Sequence, residues 1–215
     1  MSVEILFLIL ILILSVVIHE VSHGYAANML GDPTARMAGR LTLNPIKHLD
    51  LMGSIIIPGL LVLSGSPFLF GYAKPVPYNP YNLRKYSWGQ KWGEAVVAAA
   101  GPGVNMLIAI IFGLFVRFSS SFSFATPAFI EISMTIVFIN ILLAVINMLP
   151  IPPLDGSKVL GVLLPFSLAQ SYARVRFMLE HNIFLAFGLV ILFVYLFGGV
   201  FAQFIFYLSS LIVGF

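Results

Sequence analysis

The amino-acid sequence predicts an all-α integral membrane protein, a multi-span helical bundle with about four to six membrane segments. Of its 215 residues, 60% are hydrophobic and only 9% are charged, whereas soluble domains carry about 25% charged residues. Long apolar runs alternate with short polar connectors along the whole chain. We expect one membrane-embedded domain over residues 1–215, with its core in 1–165 and its C-terminal membrane segment or segments in 183–213. Short β-strands near the cytoplasmic face complete the expected architecture.

Charge and cysteine content narrow the partners and the metal ligands. The net charge is +3, but the Lys and Arg residues lie in connectors, where they set topology and contact lipid headgroups rather than nucleic acid. The bilayer is therefore the expected partner, and no nucleic acid is expected. The chain has no cysteine, so any metal must be held by histidine and carboxylate oxygen.

The first apolar segment, 3–30, carries the motif His19-Glu20-x-x-His23. A helix places the two histidines one turn apart on one face, where both rings can reach one metal ion, with Glu20 beside it as a base. Such letters occur by chance in exposed helices of soluble proteins, but ionisable groups are costly inside a membrane and mark function there. A secretory signal peptide fits poorly, because the start of the chain has no positive region.

Connectors on both sides of residues 51–73 are positive, which predicts that both are cytoplasmic and that the N-terminus is outside. The first of them contains 38–44, whose alternating pattern predicts a short strand. The segment 51–73 itself is broken by glycine and proline. We therefore expect it to enter the membrane and return, with a short full span as the alternative.

The remaining segments follow the same alternation of apolar runs and connectors. Spans are predicted at 92–118, which contains Gly101-Pro102-x-x-Asn105, and at 128–149, which contains Asn140 and Asn147. An extended stretch rich in proline follows, and a new helical stretch opens at Asp155 and runs toward 165. Residues 166–182 read as a polar cytoplasmic connector, and 183–213 as one long helix or two short ones.

Two histidines do not complete a catalytic zinc site, which takes three protein ligands and a water. After carboxylates near segment ends and in solvated connectors are set aside, His48, Asp50 and Asp155 remain. Asp155 is favoured, because it follows a broken membrane segment. A carboxylate within the membrane is energetically costly and therefore indicates a function. His48 is better explained as a gate, as a support for the ligands, or as a plain loop residue.

Motifs in three separate segments resemble the site-2 protease family of intramembrane zinc metalloproteases. They are His19-Glu20-x-x-His23, Gly101-Pro102-x-x-Asn105 and Asn147-x-x-Pro150-x-Pro152-x-Leu154-Asp155-Gly156. The connector with Gly39-Arg-Leu-Thr-Leu-Asn-Pro45, His48 and Gly71-Tyr-Ala-Lys-Pro-Val-Pro77 is similar to that of the compact prokaryotic members. The resemblance covers roughly residues 15–160, and no PDZ or CBS module accompanies it.

The predicted function is hydrolysis of peptide bonds in or near transmembrane segments of substrate proteins, in a multi-pass protein whose active site faces the cytoplasm. One Zn²⁺ is expected on His19, His23 and Asp155, with Glu20 as the catalytic base. Asn147 and Asn140 are candidates for binding the oxyanion or the substrate. Capping of freed backbone is the alternative for Asn147, and helix packing is the alternative for Asn140. A metal transporter, or an inactive relative that binds membrane helices, is the alternative function.

Overall fold

The computed structural model describes residues 3–64, 72–123 and 125–214, and in this part of the chain it contains eight α-helices and no β-strand. The long helices are α1 (Val3–Met29), α4 (Gly89–Arg117), α5 (Pro127–Asn147) and α8 (Ile183–Val213). The short helices are α2 (Thr34–Met37), α3 (Ile57–Leu63), α6 (Asp155–Leu163) and α7 (Phe166–His181). Each long helix is apolar and long enough to cross a membrane. This confirms the predicted all-α, multi-span architecture.

Local sequence signals explain where the long helices begin and end. Helix α1 ends just before Gly31, whose φ of +105° favours glycine. Helix α5 begins after Thr126, whose side chain accepts a hydrogen bond from the backbone N–H of Phe129 at 3.2 Å. Helix α8 is continuous over residues 183–213 and ends at Gly214, which has φ +93°. The C-terminal membrane segment is therefore one helix rather than two.

Helix α4 lies at the centre of the bundle and contacts α1, α5, α6 and α8. The C-terminal half of α4 packs with α5 and α8 around a core of buried side chains: Ala109, Val116, Val137, Ile141, Ile205 and Val213. A second cluster joins α1 to α4 through Ala27, Leu30, Leu83 and Val97. The first half of α1 is largely exposed, as expected for a surface that faces lipid.

The predicted strand at 38–44 is wrong. These residues form a turn and an irregular loop between α2 and a 3₁₀-helix at Pro45–His48. Gly39 has φ +64°, and the side chain of Asn44 accepts a hydrogen bond from the backbone N–H of Ile46 at 3.0 Å, which starts the 3₁₀-helix. A turn at each end therefore interrupts the alternating pattern before it can pair as a strand.

Residues 51–63 form a π-helical stretch, Leu51–Ile56, followed by α3. Together they are too short to cross a membrane, and residues 65–71 lie outside the part that the structure describes. The flanks of this segment contact each other: Lys74 donates its backbone N–H to His48 O at 2.9 Å, and Tyr72 donates to Gly53 O at 3.0 Å. The flanks of the segment therefore lie together, which a single crossing between them would not allow, and its entry into the membrane stays a prediction.

Helix α6 begins at Asp155 as predicted, and the polar connector predicted at 166–182 lies outside the candidate spans and is mostly helical, as α7. Arg176 contacts Glu94 of α4 at 2.9 Å and Glu180 one turn along α7 at 3.5 Å. The ion pair of Arg176 with Glu94 joins α7 to α4, and α7 also contacts α6 and α8.

Candidate metal centre

His19 and His23 lie one turn apart on α1 and are both buried, with 5% and 8% of their surface exposed. Their rings are perpendicular, with centroids 4.7 Å apart. The two Nδ1 atoms point away from each other. His23 Nδ1 lies 2.7 Å from the backbone carbonyl of Val97, and His19 Nδ1 lies 2.5 Å from Oδ1 of Asn105, both on α4. The Nε2 atoms are thereby left to face a common point.

Asp155 supplies the third group, from the first turn of α6. Its Oδ2 atom lies 3.2 Å from Nε2 of both His19 and His23, and ligand atoms of all three side chains fall within 4.8 Å of one another. The next residue, Gly156, packs directly against the backbone carbonyls of Met148 and Leu149, so a Cβ at this position would collide with both. This close approach places the start of α6 directly against the end of α5.

The chemistry of these three groups fits a zinc ion. The Val97 carbonyl can only accept, so His23 Nδ1 must carry a hydrogen, and a neutral ring then has a lone pair on Nε2. His19 is oriented in the same way by Asn105. Two lone pairs and a carboxylate oxygen would therefore face one another across 3.2 Å, an arrangement that a shared cation resolves. Two imidazoles and one carboxylate are a common catalytic zinc set.

Helix α4 forms the wall behind the histidines. A Cβ added to Gly101 would lie 2.5 Å from His23 Nε2 and 2.6 Å from His19 Nε2. Asn105 is one turn further along the same helix and is fully buried against His19. The sequence motif Gly101-Pro102-x-x-Asn105 therefore brings both a space and a hydrogen-bond partner to the ligands.

Lys158 lies one turn after Asp155, with its Nζ 3.9 Å from Asp155 Oδ1. Burial would lower the pKa of Lys158, but Tyr78, Asp155 and Glu94 raise it above its ordinary value, so the lysine stays protonated. Burial alone would raise the pKa of Asp155, but hydrogen bonds from the His19 and His23 rings, which form when Nε2 of a ring carries a hydrogen and no metal is bound, and the charge of Lys158 hold it well below the usual range. The carboxylate is therefore ionised and available to a metal.

Glu20 is half-buried beside His19, and its Oε2 atom accepts a hydrogen bond from the backbone N–H of Val76 at 3.0 Å. Val76 belongs to an extended stretch, 72–79, that crosses α1 at this level. Arg40 holds that stretch in place by donating to the carbonyl of Lys74 at 2.7 Å. The carboxylate of Glu20 is thus positioned by the connector as well as by its own helix.

The other predicted site residues lie outside the three-residue cluster. His48 is buried, and its Nε2 donates to the carbonyl of Thr42 at 2.8 Å. It therefore supports the connector and is not brought to the metal ligands, while its role as a gate stays a prediction.

Asn147 is half-buried near the end of α5, with its amide donated to Leu143 O at 2.9 Å. Asn140 is fully buried and hydrogen-bonded to Asn105. Their oxyanion or substrate roles stay predictions. Sequence reasoning missed the contact of Asn105 with His19. The spacing of one helical turn from Gly101, which places both on one face, was the available signal.

Comparison with known proteins agrees with this geometry. The chain is 35% identical over 187 residues to a Bacillus subtilis protein named "Putative zinc metalloprotease YwhC", covering 80% of this chain and 78% of that protein. This chain belongs to the site-2 protease family. That confirms the resemblance found in its motifs.

Two more distant relatives are both named "Putative zinc metalloprotease Rip2". The Mycolicibacterium smegmatis protein is 31% identical and the Mycobacterium tuberculosis protein 29% identical, and each match covers 67% of this chain. The chain spans about half the length of these two site-2 protease relatives, 52% in each case. No protein-family model and no solved structure matches the chain.

Proposed function

We propose that this multi-pass membrane protein is an intramembrane zinc endopeptidase that cleaves peptide bonds in or near the transmembrane segments of other proteins. One observation carries the proposal: two ligands of a three-residue metal-binding cluster, and the glutamate beside them, lie within a helix that is long and apolar enough to span a membrane. His19 is about 24 Å along α1 from its first residue, at about 1.5 Å per residue. The relatives' names, which include zinc metalloprotease, support the same chemistry.

His19, His23 and Asp155 would hold the zinc ion. Zinc in such a site makes water a better nucleophile and polarises the scissile carbonyl. Glu20 takes the proton of the attacking water and passes it to the amine that leaves. Its carboxylate is held in position for this task by the Val76 N–H.

The remaining groups act on the substrate and its surroundings. Asn147 lies at the end of α5, a few residues before Asp155, and its amide would donate to the developing oxyanion or to the substrate backbone. A substrate helix must unwind locally, because its peptide bonds are shielded while they are helical. Water reaches the site from the side of the positive connectors, which we propose to be cytoplasmic.

The test uses the purified protein in detergent with a synthetic single-pass membrane peptide. We expect Glu20→Gln to lower cleavage by about 10²- to 10⁴-fold, because the general base is lost, while zinc stays at one ion per chain by elemental analysis. Glu131→Gln is the matched control. Glu131 lies near the start of α5, far along that helix from Asn147, and the variant should cleave like wild type. Equal cleavage by Glu20→Gln and wild type would contradict the proposal. So would zinc flux through wild-type protein in liposomes without cleavage of any peptide, which indicates a transporter.

A further inference from the structure

A row of buried polar side chains leads from His19 into the core of the bundle, on the side of the ring away from the metal ligands. Asn105 Oδ1 lies 2.5 Å from His19 Nδ1, and Asn105 Nδ2 donates to Asn140 Oδ1 at 2.7 Å. Asn140 Nδ2 in turn donates to the hydroxyl of Ser15 at 3.0 Å. Both asparagines are 0% exposed and Ser15 is 4% exposed. Three helices, α1, α4 and α5, each contribute to this row.

Two backbone carbonyls fix the direction of every hydrogen bond in the row. Asn140 also contacts the carbonyl of Ile136 at 2.9 Å, and a carbonyl can only accept, so the contacting atom must be the amide nitrogen. Asn140 must then present its oxygen to Asn105. Asn105 likewise faces the carbonyl of Ser15 at 3.4 Å, which again requires nitrogen on that side and oxygen toward His19. The amide orientations are therefore set by the surrounding backbone.

His19 is the end of this row, and the orientation of the amides determines which of its ring nitrogens carries the hydrogen. Because Asn105 offers an oxygen, the neutral His19 ring carries its hydrogen on Nδ1 and has a lone pair on Nε2. The Nε2 atom is the one that faces Asp155 and His23. The opposite tautomer would place a lone pair of Nδ1 against the oxygen of Asn105 at 2.5 Å. In a buried site, that contact is strongly unfavourable.

We propose that Asn140 and Ser15 are positioning residues of the metal centre. They lock the amide of Asn105 and, through it, hold His19 in the tautomer that binds metal. The inference deepens the proposed function, since it rests on His19 being a zinc ligand. Partners that orient a ligand histidine typically change metal affinity or activity by roughly 10- to 100-fold when they are removed.

Simple helix packing is the competing explanation. Asparagines join membrane helices through hydrogen bonds, and such bonds stabilise the bundle whatever their direction. A role in packing alone makes no demand on the proton of His19, so loss of these bonds would leave that proton on Nδ1. The tautomer of His19 is therefore the measurement that separates the two explanations.

The experiment uses the metal-free protein in detergent with ¹⁵N-labelled histidine, of which the chain has only four. At about pH 9, well above the ordinary histidine pKa, nitrogen NMR distinguishes the protonated ring nitrogen from the other one. We expect His19 to be protonated on Nδ1 in wild type and to populate the Nε2–H form in Asn140→Leu, where a hydrogen bond to Asp155 favours it. Zinc affinity, measured by competition with a chelator, should fall about tenfold in the same variant.

A matched variant completes the test. Ser133→Ala changes a buried α5 residue whose hydroxyl has no hydrogen-bond partner among the described residues, and should match wild type in both measurements. If Asn140→Leu does not fold, Asn140→Ser, which cannot reach Asn105, takes its place.

An unchanged tautomer with zinc affinity within about twofold of wild type in Asn140→Leu or its replacement would overturn the inference. An equal loss in Ser133→Ala would do the same, because it would show a general packing effect. Neither measurement depends on cleavage of a substrate. Failure of the protease proposal is therefore distinguishable from failure of this one.

Discussion

Gly101 lies on α4 directly behind the two ligand histidines, and the absence of a side chain there leaves room for their rings. Ordinary contacts between a Cβ and another heavy atom begin at about 3.4 Å, whereas a Cβ at this position would lie 2.5 Å from His23 Nε2. The atoms that it would meet are the metal-binding nitrogens themselves. Ligand geometry therefore depends on this glycine as well as on the ligands.

Gly101→Ala should accordingly release zinc without unfolding the bundle. The new methyl group forces both rings away from their common point, and we expect zinc affinity to fall at least about tenfold. Alanine favours helix more than glycine does by roughly 1 kcal/mol, so α4 itself should persist. Zinc affinity by chelator competition and helix content by circular dichroism are the measurements.

Gly103→Ala is the matched control, because nothing lies within 4 Å of a Cβ at that position of the same helix. It should bind zinc like wild type and be equally or slightly more stable. Full zinc affinity in Gly101→Ala would contradict the prediction, since the rings would then have room that the structure does not show.

Asp32 joins two elements, the end of α1 and the turn at Pro80–Asn82. Its carboxylate is fully buried and accepts hydrogen bonds from the backbone N–H of Asn79 at 2.7 Å and from the amide of Asn82 at 3.0 Å. The hydroxyl of Thr34 donates to it as well, at 2.5 Å. The connector that carries Val76 to Glu20 is thereby tied to the helix that carries the metal ligands.

Stability of the protein should depend on the ionisation of Asp32. Burial alone would raise the pKa of this carboxyl, but the donors on Thr34, Asn82 and Asn79 lower it below its ordinary value of 3.8. A group with a lowered pKa in the folded state stabilises fully above its unfolded pKa, and the contribution is lost as the pH falls through the folded pKa. Acid should therefore weaken the fold from about pH 4 downward.

Thermal unfolding of wild type and Asp32→Asn in detergent, followed from neutral to acidic pH, tests this. The variant should be less stable at neutral pH by roughly 1.5–3 kcal/mol, the range for a hydrogen bond to a charged group, and the difference should shrink in acid. Thr34→Val, which removes only the hydroxyl donor, should show a smaller difference of the same sign. A constant difference across the pH range would exclude Asp32 as the titrating group.

At the level of elements, the sequence predicted the features that depend on local composition, such as spans and helix ends. It did not predict the features that depend on contacts between distant segments. The four spans, the end of α1 near Gly31 and the start of α6 at Asp155 follow from apolar runs and helix breakers. Convergence of Asp155 with the two histidines was predictable because few other ligands exist in the chain. The tight packing of the neighbouring Gly156 against the backbone carbonyls of Met148 and Leu149 has no signal in hydropathy.

The wrong strand at 38–44 shows this limit. The stretch alternates like a strand, but a strand needs a neighbour with free N–H groups, and the adjacent stretch 72–79 contains Pro75 and Pro77, which have none. The charges of 166–182 indicate a connector, but not the ion pair of Arg176 with Glu94 that joins helix α7 to α4. Neither the lack of a strand partner nor the presence of an ion-pair partner is visible in local sequence.

For the whole molecule, charge and contacts indicate one arrangement in the membrane. With four spans, the connectors at 30–91 and 148–182 fall on one side, and they hold ten of the eleven Lys and Arg residues, all except Arg117. A fifth crossing within 51–73 would place Lys74 and His48 on opposite sides, but they are hydrogen-bonded at 2.9 Å. Positive connectors lie in the cytoplasm, so both chain ends are predicted to be outside.

This topology can be measured directly, because the chain contains no cysteine and single cysteines can be introduced without background. Leu43→Cys, Tyr81→Cys and Ser120→Cys leave every charge in place, and the first two positions are 61% and 78% exposed. A membrane-impermeant maleimide should label Ser120→Cys in intact cells and the other two only after permeabilisation. The reverse pattern would put the metal centre nearer the outer surface. Labelling of Leu43→Cys and Tyr81→Cys from opposite sides would require a crossing between them, which the contact of His48 with Lys74 does not allow.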